Sequence, residues 1–294
     1  MRECFDGSGD VLPTFSQQQS NLLCTLLTSF VRLDLQVNLL LARPTQLPLS
    51  WHMNGHKSDT TAAGPFESFA EARAQLERMA FFYTQIPSTS YVERQARVSD
   101  LDTWSEALSL LIREKSSNLS PSDLRAIALL KLLVSYINLG IRALTLPIAG
   151  ANDALIKTSE MRKLYSHIVE FAFVAVSHCQ TEPTYVPDLA VVPPLFSVIQ
   201  NCDDDAIRKR AYGLLSSMNR QEGLWNSRLT ARVAERYMHL IESDKLNVTP
   251  QEGRVGAQWT SRPLAVNVSI HEEDKQAVVS FVNDVVVFVE DVAW

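Results

Sequence analysis

The segment Leu124–Leu146, "LRAIALLKLLVSYINLGIRALTL", is apolar around nearly its whole circumference once wound as a helix. A helix without a polar face has to be covered on all sides, so a chain that carries one is expected to fold as several helices packed around it. Arg125, Lys131 and Arg142 interrupt the segment. A bilayer-spanning helix wants roughly 20 mostly apolar residues without such charges. We therefore read it as the central helix of a soluble, multi-helix protein. Its start is marked by "SPSD", with Ser120 as cap and Pro121 in the tolerated first helical position.

Other segments supply the covering helices. Leu22, Leu26, Phe30, Leu33, Val37 and Leu40 recur on one helical face, and Pro44 and Pro48 stop that run. Residues 43–65, rich in Pro, Gly, Ser and Thr, are expected to be a flexible exposed loop. Ser68 and Glu71 form a Ser-x-x-Glu capping box, followed by Phe69, Ala72, Leu76, Met79, Ala80 and Tyr83 on one face and by Pro87. Leu101, Trp104, Leu108 and Leu111 mark a further helix, and Leu164, Ile168, Phe171 and Ala175 another. No internal repeat is present, so a regular solenoid is not implied.

The C-terminal end changes period. Leu264, Val266, Val268 and Ile270 alternate with small or polar residues, as a half-buried strand does. After the polar turn "HEEDKQ", Ala277–Val282 is a second strand, which makes a hairpin, and Val285–Val289 is a candidate third strand. The expected fold class is thus mostly α: an irregular array of helix pairs in a single domain over residues 1–294. A small C-terminal β-hairpin forms an appendage over about residues 264–290.

Bulk properties exclude several functions. Apolar residues make up 46% and charged residues 20% of 294, which is globular composition, and the net charge of −6 gives no overall attraction to polyanions. Cys4, Cys24, Cys179 and Cys202 form no close-spaced ladder, so free thiols in a reducing compartment are expected rather than a structural zinc site. The start, "MRECFDGSGDVLPTF", has no apolar signal region, and secretion is not expected. The Asn-x-Ser/Thr triplets at Asn118, Asn247 and Asn267 are then chance matches. There is no phosphate-binding glycine loop, no GxGxxG and no GxSxG. His52 and His56 lie in loop composition, while His178, Cys179 and Cys202 are scattered, and the carboxylates of "HEEDK" sit in a turn. No catalytic, cofactor-binding or metal-binding residue is assigned.

The stretch "DDDAIRKRAYGLLSSMNRQEGLWNSRLTARVAERYMHLIE" (203–242) is the most informative. One of Asp203, Asp204 and Asp205 is expected to cap a helix that buries Ile207, Ala211, Leu214, Leu215 and Met218. Arg208, Lys209 and Arg210 fall off that face and are expected to be a solvated flank. Gly223 suits the left-handed conformation that ends a helix. Asn226 or Ser227 then caps a helix burying Leu229, Val233, Tyr237, Leu240 and Ile241. Leu224 and Trp225 would occupy a two-helix corner, with the indole plugging the crevice. Arg228, Arg232 and Arg236 make a basic stripe, but Glu235 interrupts it and the tryptophan is bulkier than a DNA-reading turn allows. The corner is read as structural.

"VVPPLFSVIQNCDDDAIRKRAYGLL" followed by "NRQEGLWNS" resembles the C-terminal signature of fungal transcription factors of the binuclear zinc-cluster class. The residues that carry the likeness are Pro193, Pro194, Leu195, Phe196, Arg208, Arg210, Glu222, Gly223, Leu224 and Trp225, with Asn226 standing where the family has an aspartate. "FVRLDLQ" (30–36) and "PFESFAEARAQL" (65–76) are similar to segments of the same branch, so the likeness spans about residues 28–285. The family binds DNA through a six-cysteine, two-zinc module, and this sequence holds no such ladder. Neither zinc nor DNA-reading residues carry over.

The resemblance implies a nuclear regulatory region working through protein partners, either transcriptional machinery or another regulator, and admitting a small effector. It implies no enzyme activity, no membrane contact and no direct DNA binding by this chain alone. The alternative is a helical scaffold or adaptor, cytoplasmic and without a transcriptional role.

Overall fold

A computed structural model of the chain describes residues 65–85, 91–143, 151–177, 184–186, 190–223, 225–242, 265–271, 276–282 and 287–293. The expected helix over Leu22–Leu40, the loop before residue 65, Cys4, Cys24, Cys179, the three histidines His52, His56 and His178, and the turn at 272–275 lie outside the described residues. Contacts divide the chain into two compact units, residues 1–120 with 186–189, and residues 121–185 with 190–294. The break follows a single tight turn at Ser116–Asn118 and the extended residue Leu119, just before Pro121, whose ring bars a helix from running through.

In the first unit, α1 (Phe69–Gln85) starts at the expected capping box. Ser68 Oγ accepts the Glu71 N–H at 3.1 Å, and the Glu71 carboxylate accepts the N–H of Glu67 at 2.8 Å, one residue earlier than the reciprocal box has it. Helix α2 (Tyr91–Lys115) buries Leu101, Trp104, Leu108 and Leu111, the four positions its period singles out. Trp104 joins the two helices: its indole N–H donates to Ala72 O at 3.1 Å and its ring lies 5.8 Å from that of Phe66.

The second unit is built on α3 (Pro121–Ala143), which packs along α4 (Ala151–Val176). The window Pro121–Arg142 is long and apolar enough to cross a membrane by length and composition, with 39% of it buried. Ala128, Leu132 and Leu139 of α3 enter one continuous core with Tyr165, Ile168 and Ala172 of α4. That core continues into α5 (Val192–Asn201), α6 (Asp205–Ser217) and α7 (Ser227–Glu242). Tyr237 of α7 is fully buried and donates its hydroxyl to Gln200 O at 2.8 Å, tying the end of α5 to α7.

Two small sheets accompany the helices. Short strands β1 (Thr184–Val186), β2 (Arg220–Glu222) and β3 (Trp225–Asn226) form one sheet in that order. At the C-terminal end β4 (Ala265–His271), β5 (Gln276–Val282) and β6 (Val287–Ala293) form an antiparallel meander. Its registers run unbroken from Ala265 opposite Val282 to His271 opposite Gln276, and from Gln276 opposite Ala293 to Val282 opposite Val287. The chain is mostly α, as expected, and the β appendage has three strands, the candidate third one included.

Candidate functional site

The motif residues converge on the start of α5. This helix has no side-chain cap of its own: its N-cap is Val191, and Pro193 and Pro194 occupy the first turn. The first N–H groups of any helix lack intrahelical acceptors, and burial makes leaving them unpaired costly. Here two of those donors do not exist, because prolines have none. The first intrahelical bond is from the Leu195 N–H to Val191 O at 3.1 Å. The remaining donors all go to one side chain. Glu222 Oε2 accepts the N–H groups of Ala190 at 3.0 Å, Val191 at 2.8 Å and Val192 at 2.9 Å.

Glu222 is 0% exposed. Its Oε1 accepts the Arg220 Nε–H at 2.6 Å and makes a longer contact with the Val191 N–H at 3.1 Å. The carboxylate thus sits at the positive end of α5 beside Arg220, whose side chain is itself only 13% exposed. Val192 and Pro193 each precede a proline, which disfavours helical backbone. The carboxylate holds this reluctant turn in place. With both oxygens committed to donors, it has no lone pair left to act as a general base.

Glu222 reaches α5 from a hairpin. Gln221 stands opposite Asn226 and Glu222 opposite Trp225, which puts Gly223 in the turn that joins the two strands. Gly223 has φ 54°, the positive value with which such hairpin loops begin. This corrects the expected two-helix corner. Helix α6 already ends at Ser217, with Met218 as its extended C-cap, and the left-handed glycine turns a strand pair rather than closing a helix. Leu224 itself lies outside the described residues.

Polar side chains fix the hairpin base. Buried Ser227 accepts the Arg220 N–H at 2.9 Å and donates its hydroxyl to Met218 O at 3.0 Å. Asn226 caps α7 as expected, accepting the Leu229 N–H at 3.0 Å, while its amide donates to Gln221 Oε1 at 3.0 Å.

Trp225 is half-buried, and its ring lies 5.9 Å from that of Phe196 at 54°, a tilted aromatic contact. The indole therefore packs on α5, with its N–H buried and without an acceptor among the described residues. Because the ring keeps part of its surface exposed, Trp225→Ala should cost about 2 kcal/mol in urea-unfolding stability, below the ~3–5 kcal/mol of a fully buried large aromatic. A loss beyond about 4 kcal/mol would mean that the ring is fully enclosed.

Of the three acids, Asp204 is the cap of α6, accepting the N–H groups of Ala206 and Ile207. Asp205 pairs with Lys209 at 2.7 Å and with Arg208 at 3.1 Å. The Lys209 ammonium, hydrogen-bonded to it, holds the Asp205 carboxyl below its ordinary value, and Asp205 in turn raises Lys209. Lys209 and Arg210 are exposed as expected. Arg208 is not: its side chain is 12% exposed and its Nε is buried without a partner among the described residues. It lies next to the apolar stripe rather than opposite it, so its stem is drawn into the packing. Arg208→Met removes an orphaned donor at the expense of one bond to a half-exposed carboxylate. Its unfolding free energy should stay within about 1 kcal/mol of wild type, whereas a loss near 3 kcal/mol would show a buried acceptor for Nε.

Pro193, Pro194, Leu195, Phe196, Glu222, Gly223 and Trp225 therefore form one clasp, and Arg208 and Arg210 stand apart from it on α6. Buried Cys202 follows α5. Among the described residues no three His, Cys, Asp or Glu side chains group closely enough to hold a metal ion. No family model, curated protein or solved structure matches the chain.

Proposed function

We propose that the chain is the helical regulatory region of a fungal-type transcriptional regulator, acting through protein contacts, with no six-cysteine zinc cluster within its 294 residues. The observation that supports this reading is the clasp. The two sequence segments that carry the family likeness, 193–196 and 222–225, are far apart in the chain, yet the carboxylate of one caps the helix of the other. A shared signature of that kind follows from a shared fold element: the prolines delete two donors and the glutamate takes the rest. The clasp holds α5, α6 and α7 as one body, and α7 turns exposed Arg228, Arg232 and Glu235 outward for a partner.

Proximity labelling of the tagged chain in its native cell tests the proposal. The expected outcome is nuclear accumulation with labelling of chromatin-bound regulators. Exclusively cytosolic partners would replace this reading with that of a helical scaffold. Tight, sequence-selective binding of duplex DNA by the purified chain alone would also overturn it.

A further inference from the structure

We propose that β4 pairs antiparallel with β4 of a second copy of this chain, about a two-fold axis through Val268, to make one six-stranded sheet. In the meander β4 is hydrogen-bonded to β5 on one side, and among the described residues no strand pairs with its other edge. An open edge is a template for another strand, and proteins that need to block one use lysines, prolines, inward charges or a bulge. Here none of these devices is present. The strand Ala265–His271 reads "AVNVSIH", without proline, Lys, Arg, Asp or Glu, and its seven register pairs with β5 run without a bulge.

The sequence of β4 is also self-complementary, which a two-fold contact requires. With Val268 on the axis, Asn267 falls opposite Ser269 of the second copy, Val266 opposite Ile270, and Ala265 opposite His271. In the two inner pairs apolar meets apolar (Val266 with Ile270) and small polar meets small polar (Asn267 with Ser269), the cross-strand pairing that stabilises an antiparallel ladder; the end pair Ala265–His271 is mixed. The other edge strand fails the same test. β6 reads "VFVEDVA", so self-pairing about its centre sets Glu290 against Glu290, and this strand also lies against α7. A three-stranded sheet is near the lower size limit for independent stability, so extension to six strands adds hydrogen bonds where the fold has few. The inference stands on β4 alone and is independent of the transcriptional reading.

Sedimentation velocity on the purified full chain over a concentration series tests it, with a concentration-dependent dimer expected. Asn267→Lys with Ser269→Lys sets lysine against lysine across the axis and should weaken the dimer by about tenfold or more. Asn267→Lys with Ser269→Glu sets lysine against glutamate at the same positions and should restore a dimer whose affinity falls with added salt. Val268→Cys should cross-link to itself under mild oxidation, since paired antiparallel residues lie about 4.5–5.5 Å apart at Cα, within disulfide reach. A chain that stays monomeric at all concentrations, a dimer indifferent to the lysine pair, or equal loss in the two double variants would overturn the proposal. So would pairing of β4 only with a strand of a different protein.

Discussion

Replacing Glu222 with alanine is expected to destabilise the second unit by about 3–5 kcal/mol, the cost typical of removing one partner from a buried charged network. The loss has two sources. The N–H groups of Ala190, Val191 and Val192 lose the acceptor they share, and the guanidinium of Arg220 loses its 2.6 Å bond to the carboxylate. Equilibrium urea unfolding followed by far-UV circular dichroism reads the effect as a lower midpoint at unchanged slope. Since domains hold only about 5–15 kcal/mol in all, such a loss takes a large share of the stability.

Two companion variants separate this account from simple loss of packing. Glu222→Gln keeps one oxygen acceptor but turns an amide donor toward other donors, and it should fall between alanine and wild type. Arg220→Ala leaves the carboxylate at the positive helix end with its backbone donors intact, and should cost less, about 1.5–3 kcal/mol. If Glu222→Ala unfolded within about 0.5 kcal/mol of wild type, the first turn of α5 would be capped by solvent and the clasp would not hold it.

The clasp also shows how far sequence reasoning reaches. Helical periods place the core well: Leu101, Trp104, Leu108 and Leu111 on α2, and Leu229, Val233, Tyr237 and Leu240 on α7, are all buried. These positions are legible because amphipathic spacing is a local property. Glu222 is not legible in that way. Its acceptors' partners lie about thirty positions upstream, and a glutamate that follows Asn219, Arg220 and Gln221 looks like surface. One signal was available: "AVVPP" starts a helix with no Ser, Thr, Asp or Asn at the cap, so its unpaired N–H groups had to find an acceptor elsewhere. Gly223 misleads for a related reason. A positive φ serves a helix end and a hairpin loop alike, and the residue type does not say which. Arg208 misleads because a helical wheel assigns angle, not depth, and a long stem beside an apolar stripe can be buried while its charge stays paired.

The second large effect is expected at Trp104 and should be confined to the first unit. Trp104 is 1% exposed, donates its indole N–H to Ala72 O, and contacts the Phe66 ring, so it is the main joint between α1 and α2. Trp104→Ala removes a large buried aromatic and leaves a cavity, for a loss of about 3–5 kcal/mol. The continuous core of α3–α7 contains no residue of the first unit. Amide hydrogen exchange should therefore quicken across 69–85 and 91–115 in this variant, with protection in α5–α7 kept at its wild-type level. Glu222→Ala should give the mirror pattern, fast exchange around α5 with α1 and α2 unchanged. Exchange that rose equally in both segments for either variant would show that the chain unfolds as a single cooperative body, and the division at Pro121 would then mark a bend in one domain rather than a boundary between two.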